Sequence, residues 1–344
     1  MDYLTKFATH SQYEAFASST AYTEPNVSYC EQDDEVHYNK PHDYSQDYLT
    51  FVALEAGTFK LSGNSVSYSL DNGNTWSTLA SNTDSPTVPS GSSIMWKATL
   101  TPSSSIGIGT FVSTCGFDVE GNPMSLLYGD NFTNQTSLNG KNNAFRYLLS
   151  GNTNVKSVKN MSLVATTLSE YCYSAMFKGC TNLIIPPLEL QALSLANYCY
   201  HQMFAGCSSL TTAPKLLATT LAPNCYNGMF MGCSNLKTSP VMLATTLAQN
   251  CCYAMFHSCS SMTTSPTLHA TTLVSGCYGL MFNQCTSLNY IKAMFTTEPS
   301  TTYTSNWVYG VASSGTFVKN SAATWNVSGE NGIPNGWTVQ TASS

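Results

Sequence analysis

The hydrophobic pattern changes character partway along the chain. From residue 46 to about 130, apolar and polar positions alternate in short runs (YLTFVAL, GTFKLS, SVSYSL, SIMWKATL and CGFDVEG) separated by Gly, Asn and Ser. Alternation with period two between turn residues predicts antiparallel strands with one buried face, here a small β-sandwich. Farther along, one apolar skeleton recurs in register as LSEYCYSAMFKGCTNL, LANYCYHQMFAGCSSL, LAPNCYNGMFMGCSNL, LAQNCCYAMFHSCSSM and LVSGCYGLMFNQCTSL. The Met-Phe pairs begin at Met176, Met203, Met229, Met255 and Met281, giving spacings of 27, 26, 26 and 26 residues. A fixed skeleton at that period is the signature of a stacked solenoid.

The third copy shows what each repeat predicts. Leu221, Cys225 and Met229 fall at i, i+4 and i+8, and Tyr226 with Phe230 form the adjacent row, as on one face of a helix. Gly232 reads as its C-terminal stop. SNLKTSPVML then reads as a turn and a short extended run closed by Pro240, and ATTL offers Thr245 or Thr246 as the next N-cap. The expected unit is a short strand, a loop and a helix. One copy buries too few side chains to offset the entropy of ordering its backbone, so the array must be stacked and capped.

The chain has 13 cysteines, and ten belong to the repeats as Cys172/Cys180, Cys199/Cys207, Cys225/Cys233, Cys251/Cys259 and Cys277/Cys285. On a helix a spacing of eight puts the two Cα atoms about 12 Å apart, beyond the roughly 7 Å limit of a disulfide. Equivalent cysteines on packed helices would lie about 8 to 10 Å apart. The expectation is a core ladder of reduced thiols, accompanied by Phe177, Phe204, Phe230, Phe256 and Phe282. Close C-x-x-C or H-x-x-x-H pairs are missing, so no metal or other cofactor is expected. Cys252 stands where other copies carry Tyr173, Tyr200, Tyr226 and Tyr278.

The phrase C-Y-x-x-M-F-x-G-C-x-x-L, with its linking A-T-T-L (Ala165 to Leu168, Ala218 to Leu221, Ala244 to Leu247, Ala270 to Leu273), resembles the BspA-like leucine-rich repeats of gut Bacteroidetes and of their phages. The resemblance covers about 130 residues; ALSL at Ala192 to Leu195 departs from it. It implies an α/β leucine-rich-repeat solenoid of about five 26-residue repeats over residues 131–295. With the β-sandwich before it and a β-rich C-terminal cap at 296–344, the expected fold class is mixed.

Residues 1–45 read as a separate module, with a short helix over 9–18 and two strands around the acidic turn Glu31, Asp33, Asp34 and Glu35. That turn lacks the alternating spacing of a calcium loop. The opening resembles the N-terminal attachment module of structural proteins from Bacteroidetes phages. Within the sandwich, Ser69, Asp71, Gly73, Thr75 and Trp76 match the Asp-box of sialidases, which in that family stabilises a hairpin away from the active site; Asp71 and Trp76 are read as fold residues.

Charge narrows the function. Only 9% of residues are charged and the net charge is -6, which excludes a basic stripe for phosphates and hence nucleic-acid binding. No apolar run is long enough to enter a membrane, and the first residues lack the basic and apolar regions of a secretory signal. No nucleophile elbow, P-loop or metalloprotease motif occurs, so no catalytic residues are assigned. His201 and His257 fall at variable repeat positions on the expected solvent side. Trp307, Tyr309, Trp325 and Trp337 in the tail are candidates for stacking on sugars or for sealing the core.

The candidate ligand-facing residues follow the last apolar residue of each repeat: Thr211, Thr212, Lys237, Thr238, Thr263, Thr264, Asn289 and Tyr290, one of each adjacent pair facing solvent. The expected protein is a non-enzymatic virion component, a tail or head fibre or a capsid decoration. Its expected partners are other virion proteins, through residues 1–45, and a host surface protein or glycan, with homo-oligomerisation allowed. The alternatives are a BspA-like bacterial surface adhesin and a carbohydrate-active enzyme.

Overall fold

Turn residues at regular intervals, more than helix formers, shape this chain. The computed structural model describes residues 27–30, 35–38 and 42–342. The chain divides into two compact units, Met1–Asp43 and Tyr44–Ser344. In the first, β1 (Val27–Cys30) pairs antiparallel with β2 (Glu35–Tyr38). The expected helix over 9–18 and the acidic residues Glu31, Asp33 and Asp34 lie outside the described residues.

The second unit opens with β3 (Leu49–Ala53), β4 (Phe59–Leu61), β5 (Val66–Ser69), β6 (Ser77–Leu79), β7 (Ser93–Lys97), β8 (Phe111–Ser113), β9 (Phe117–Gly121) and β10 (Val155–Met161). Six of them form one sheet in the order β10-β9-β3-β7-β5-β6, and β4 pairs with β8. Alternating inward residues place Phe51, Phe59, Trp96, Phe111 and Phe117 in one aromatic cluster, with Phe51 within 4.9 to 5.7 Å of each of the others. The parallel β9–β10 pair carries this sheet across residue 130 toward the repeats.

The repeats form a parallel β-solenoid of about six turns over residues 189–341, in a chain that is mostly β with few helices. Its rungs are β11 (Glu189–Leu190), β12 (Lys215–Leu216), β13 (Thr264–Leu268), β14 (Tyr290–Ala293), β15 (Thr316–Lys319) and β16 (Thr338–Thr341). A single bridge, Leu216 to Met242, supplies the rung between β12 and β13. Two four-residue helices complete the described unit, α1 (Ser125–Tyr128) and α2 (Thr301–Thr304). The tail expected as a β-rich cap at 296–344 holds β15 and β16, which continue the same parallel sheet as β14.

The repeat helix is the main correction. Residues 223–232 form a ribbon of successive turns. Every fourth residue is left-handed: Asn224 (φ 54°), Gly228 (60°) and Gly232 (75°). Backbone donors alternate between two directions. Met229 N–H and Met231 N–H donate within the coil, to Tyr226 and Gly228 carbonyls at 3.1 Å. Tyr226, Gly228, Phe230 and Gly232 donate to Cys251, Tyr253, Met255 and His257 of the next coil at 2.8 to 2.9 Å. An α-helix keeps all its bonds to itself; this ribbon spends half on its neighbour, which no isolated copy could do. The i, i+4, i+8 stripe is therefore a true period of four.

The same arrangement extends outside the five recognised copies. Phe145 N–H donates to Cys172 carbonyl at 2.7 Å, and Phe282 N–H to Trp307 carbonyl at 2.8 Å. Ala144, Phe145, Leu148 and Leu149 thus take the places of Cys172, Tyr173, Met176 and Phe177, an extra coil whose apolar residues are too divergent for the repeat phrase to reveal.

Candidate functional site

Hydrogen-bonded stacking sets neighbouring coils about 4.8 Å apart, and identical residues become columns. Phe177, Phe204, Phe230, Phe256 and Phe282 stack face to face at 5.3 to 5.8 Å, all fully buried. Tyr173, Tyr200 and Tyr226 form a second column at 5.6 and 6.0 Å. Cys252, fully buried, sits at the Tyr position.

The first thiol column is Cys172, Cys199, Cys225, Cys251 and Cys277; the second is Cys180, Cys207, Cys233, Cys259 and Cys285, and all ten are buried and unbridged. The spacing argument from packed helices does not hold here, because coils stacked 4.8 Å apart bring cysteines closer than helices do. What occupies the second column is a directed bond: each thiol donates to a carbonyl of the preceding coil, those of Leu149, Phe177, Phe204, Phe230 and Phe256, at 3.0 to 3.1 Å. Burial pushes Cys180, Cys199, Cys277 and Cys285 up to about 12. A thiol so protonated is a poor nucleophile. Cys251 alone is lowered, because Cys252 donates to it.

The candidate ligand-facing residues lie at the corner where each ribbon passes into a strand. Thr212, Lys237, Thr238, Thr263, Thr264 and Asn289 are exposed, and Thr211 and Tyr290 are half-buried. Strand alternation, expected to hide one of each pair, fails at Lys237–Thr238 and Thr263–Thr264. Lys237, Thr238 and Thr263 lie outside the strands and Thr264 only begins β13. Corner bonds such as Lys237 N–H to Thr211 carbonyl (3.1 Å) hold consecutive coils in register.

On the strands, outward positions vary from coil to coil, as Glu189, Lys215, Val241 and Thr267, over an inward column of Leu190, Leu216, Met242 and Leu268. Ile184, Ile185, Leu188, Val241 and Leu243 give this face exposed apolar residues.

Asp71 closes the turn between β5 and β6. It accepts from Thr75 N–H (2.9 Å), Thr75 Oγ1 (2.6 Å) and Ser69 Oγ (2.7 Å), which hold its carboxyl down to about 2. Trp76 Nε1 donates to Gly73 carbonyl, and Lys97 Nζ lies 4.2 Å over the Trp76 ring while pairing with Asp130 at 2.7 Å.

Of the four tail aromatics, Trp307, Trp325 and Trp337 are buried, each with its indole N–H bonded to a carbonyl. Tyr309 is 46% exposed and lines a shallow cleft of about 210 Å³ with Ser313, Glu330 and Asn335.

Sequence reasoning missed one surface cluster. Arg146, the only arginine of the chain, lies between the rings of Tyr147 (4.8 Å) and Tyr171 (5.0 Å). Tyr171 stacks on Tyr198 of the next coil at 4.7 Å with ring planes 5° apart, and His201 meets Tyr198 edge-on at 5.5 Å. His201 is half-buried, not on an open solvent side, and desolvation with the charges of Lys178 and Arg146 holds it down to about 4. The signal was present: Tyr171 and Tyr198 precede the first cysteine, where later copies carry Asn224, Asn250 and Gly276.

Among the described residues, no group of three or more His, Cys, Asp or Glu is placed to hold a metal, and no helix is long and apolar enough to cross a membrane. Comparison with protein-family models, curated proteins and solved structures returns no match to this chain.

Proposed function

We propose that the chain is a non-enzymatic display protein, a virion component of a Bacteroidetes phage whose repeat array serves adhesion to a host surface protein or glycan. The observation that carries this reading is the division of labour within each coil. Inward columns repeat nearly unchanged, whereas outward positions on the same strands vary through Glu189, Lys215, Val241 and Thr267. A surface that keeps its scaffold and varies its outside is suited to recognition. We read the array as a leucine-rich-repeat solenoid of the BspA type on the repeat phrase, and residues 46–130 as a β-sandwich on the aromatic cluster between two sheets.

In this reading residues 1–45 attach to other virion proteins, and the exposed corner residues, Lys237 and Thr263 among them, face outward. Mass spectrometry of purified particles tests it: the polypeptide is expected in stoichiometric amounts. Its absence from particles, with detection instead on intact prophage-free bacteria, would replace the virion reading with that of a bacterial surface adhesin.

A further inference from the structure

Tyr147, Tyr171 and Tyr198 all adopt left-handed backbone (φ 61°, 56° and 56°), and among the described residues no other aromatic does. That region is unfavourable for an L-residue with a bulky side chain, and the array has a less strained solution in use, since Asn224, Asn250 and Gly276 occupy the position of Tyr171 and Tyr198. The ribbon geometry therefore does not call for tyrosine. Two of the strained tyrosines, Tyr147 and Tyr171, flank the same guanidinium and the third, Tyr198, stacks on Tyr171, and strain gathered along one row of a surface motivates a functional hypothesis.

The guanidinium is only partly committed. Nη1 donates to Ser104 carbonyl (3.4 Å) and Asn143 Oδ1 (3.2 Å), and Nη2 to Tyr147 Oη (3.1 Å). Nε is buried without an acceptor. With five N–H groups on the side chain, one on Nη2 is left over. Among the described residues Arg146 forms no ion pair; the bridges are Lys60–Asp84 and Lys97–Asp130. Lys178 Nζ, which also acts on His201, donates to the neutral Gln202 side chain at 2.8 Å. One carboxylate, Glu170, acts on Tyr171 of the row and accepts from Asn197 Nδ2 at 3.4 Å. In a chain of net charge -6, two cations without carboxylate partners among the described residues thus share one face with stacked phenols.

We propose that the row Arg146–Tyr171–Tyr198–His201 binds a carboxylated saccharide. Since Arg146 and Tyr198 both cover the Tyr171 ring, an apolar pyranose face would lie against Tyr198, and the carboxylate of an oligosaccharide would meet the field of Arg146 and Lys178. Nucleic acid is disfavoured by the sparse basic residues. This inference stands apart from the virion reading: the row lies on the ribbon and not on the strand face, and it binds the same ligand whichever particle or cell carries the chain.

The test is calorimetric titration of the full chain with 3′-sialyllactose and with trigalacturonate, which separate a sialic from a uronic acid, and with lactose as the neutral control. Binding of at least one acidic saccharide and not of lactose is expected, weakening as salt is raised. Tyr198→Asn installs the residue found at Asn224 and Asn250, so it keeps the backbone; it should lower affinity about tenfold with no loss of melting temperature. Arg146→Gln should weaken the acidic ligand further. The proposal is overturned if neither acid binds, if lactose binds equally well, or if Tyr198→Asn binds as the native chain does.

Discussion

Substituting Gly228 by alanine separates a ribbon from a helix by the sign of its effect. In the interior of a helix, where the apolar stripe from Leu221 to Phe230 would place it, alanine is favoured over glycine by about 1 kcal/mol. In the ribbon Gly228 has φ 60°. There an L-residue costs about 1 to 2 kcal/mol, offset by about 0.4 to 1 kcal/mol from the lower entropy of the unfolded chain. The added Cβ would come 3.2 Å from Gln202 Cγ, the stem of a flexible side chain that can swing aside. Ala175 and Ala254 already occupy the equivalent position in other coils with φ 52° and 51°, so the variant should fold.

The expected result is destabilisation by about 1 kcal/mol, read as the shift of the urea midpoint multiplied by the m-value. The helical alternative predicts a shift of similar size in the opposite direction, so the two accounts differ by about 2 kcal/mol. A midpoint that rises on Gly228→Ala refutes the ribbon. Gly232→Ala does not discriminate, because a glycine just past a helix end is left-handed as well.

Two further outcomes concern pH. Apart from Cys251, the thiols of both columns have folded pKa values raised by burial, to about 12 at Cys180, Cys199, Cys277 and Cys285, against 9.0 unperturbed. Their contribution is fully present below pH 9 and is lost between about 9 and 12, at up to about 1.4 kcal/mol per thiol per pH unit. Urea midpoints followed by circular dichroism should fall steeply above pH 9, and a flat profile from 8 to 11 refutes the thiol ladder. Asp71 has the opposite sign: its folded pKa of about 2 lies below 3.8, so its contribution is present above about pH 4 and fades as pH falls toward 2. Asp71→Asn should lower the melting temperature at pH 7 by more than at pH 2, and an equal gap at both pH values overturns the role given to that carboxylate.

Some of this was legible from residues alone. Leu216, Met242 and Leu268 recur at 26-residue intervals, and any stacked array must bury them together. The cysteines were legible as core for the same reason. The extra coil around Phe145 was not, since Ala144, Leu148 and Leu149 keep the volume but not the identity of the repeat phrase. Nor was the Arg146 row, because residues 146, 171 and 198 become neighbours only when three coils are stacked.

What the amino-acid order determined by itself is periodicity and sidedness: 26 residues per coil, and which of them avoid water. It did not choose between helix and turn ribbon. A residue four positions on is only about 40° off the same helical face, so a period of four and one of 3.6 place Leu221, Cys225 and Met229 on the same side. Asn224, Gly228 and Gly232, three residues that tolerate positive φ at intervals of four, were the one local hint. The tertiary structure decided, because Tyr226, Gly228, Phe230 and Gly232 find their acceptors on the following coil. Backbone donors must be satisfied somewhere, and only the stack supplies those partners.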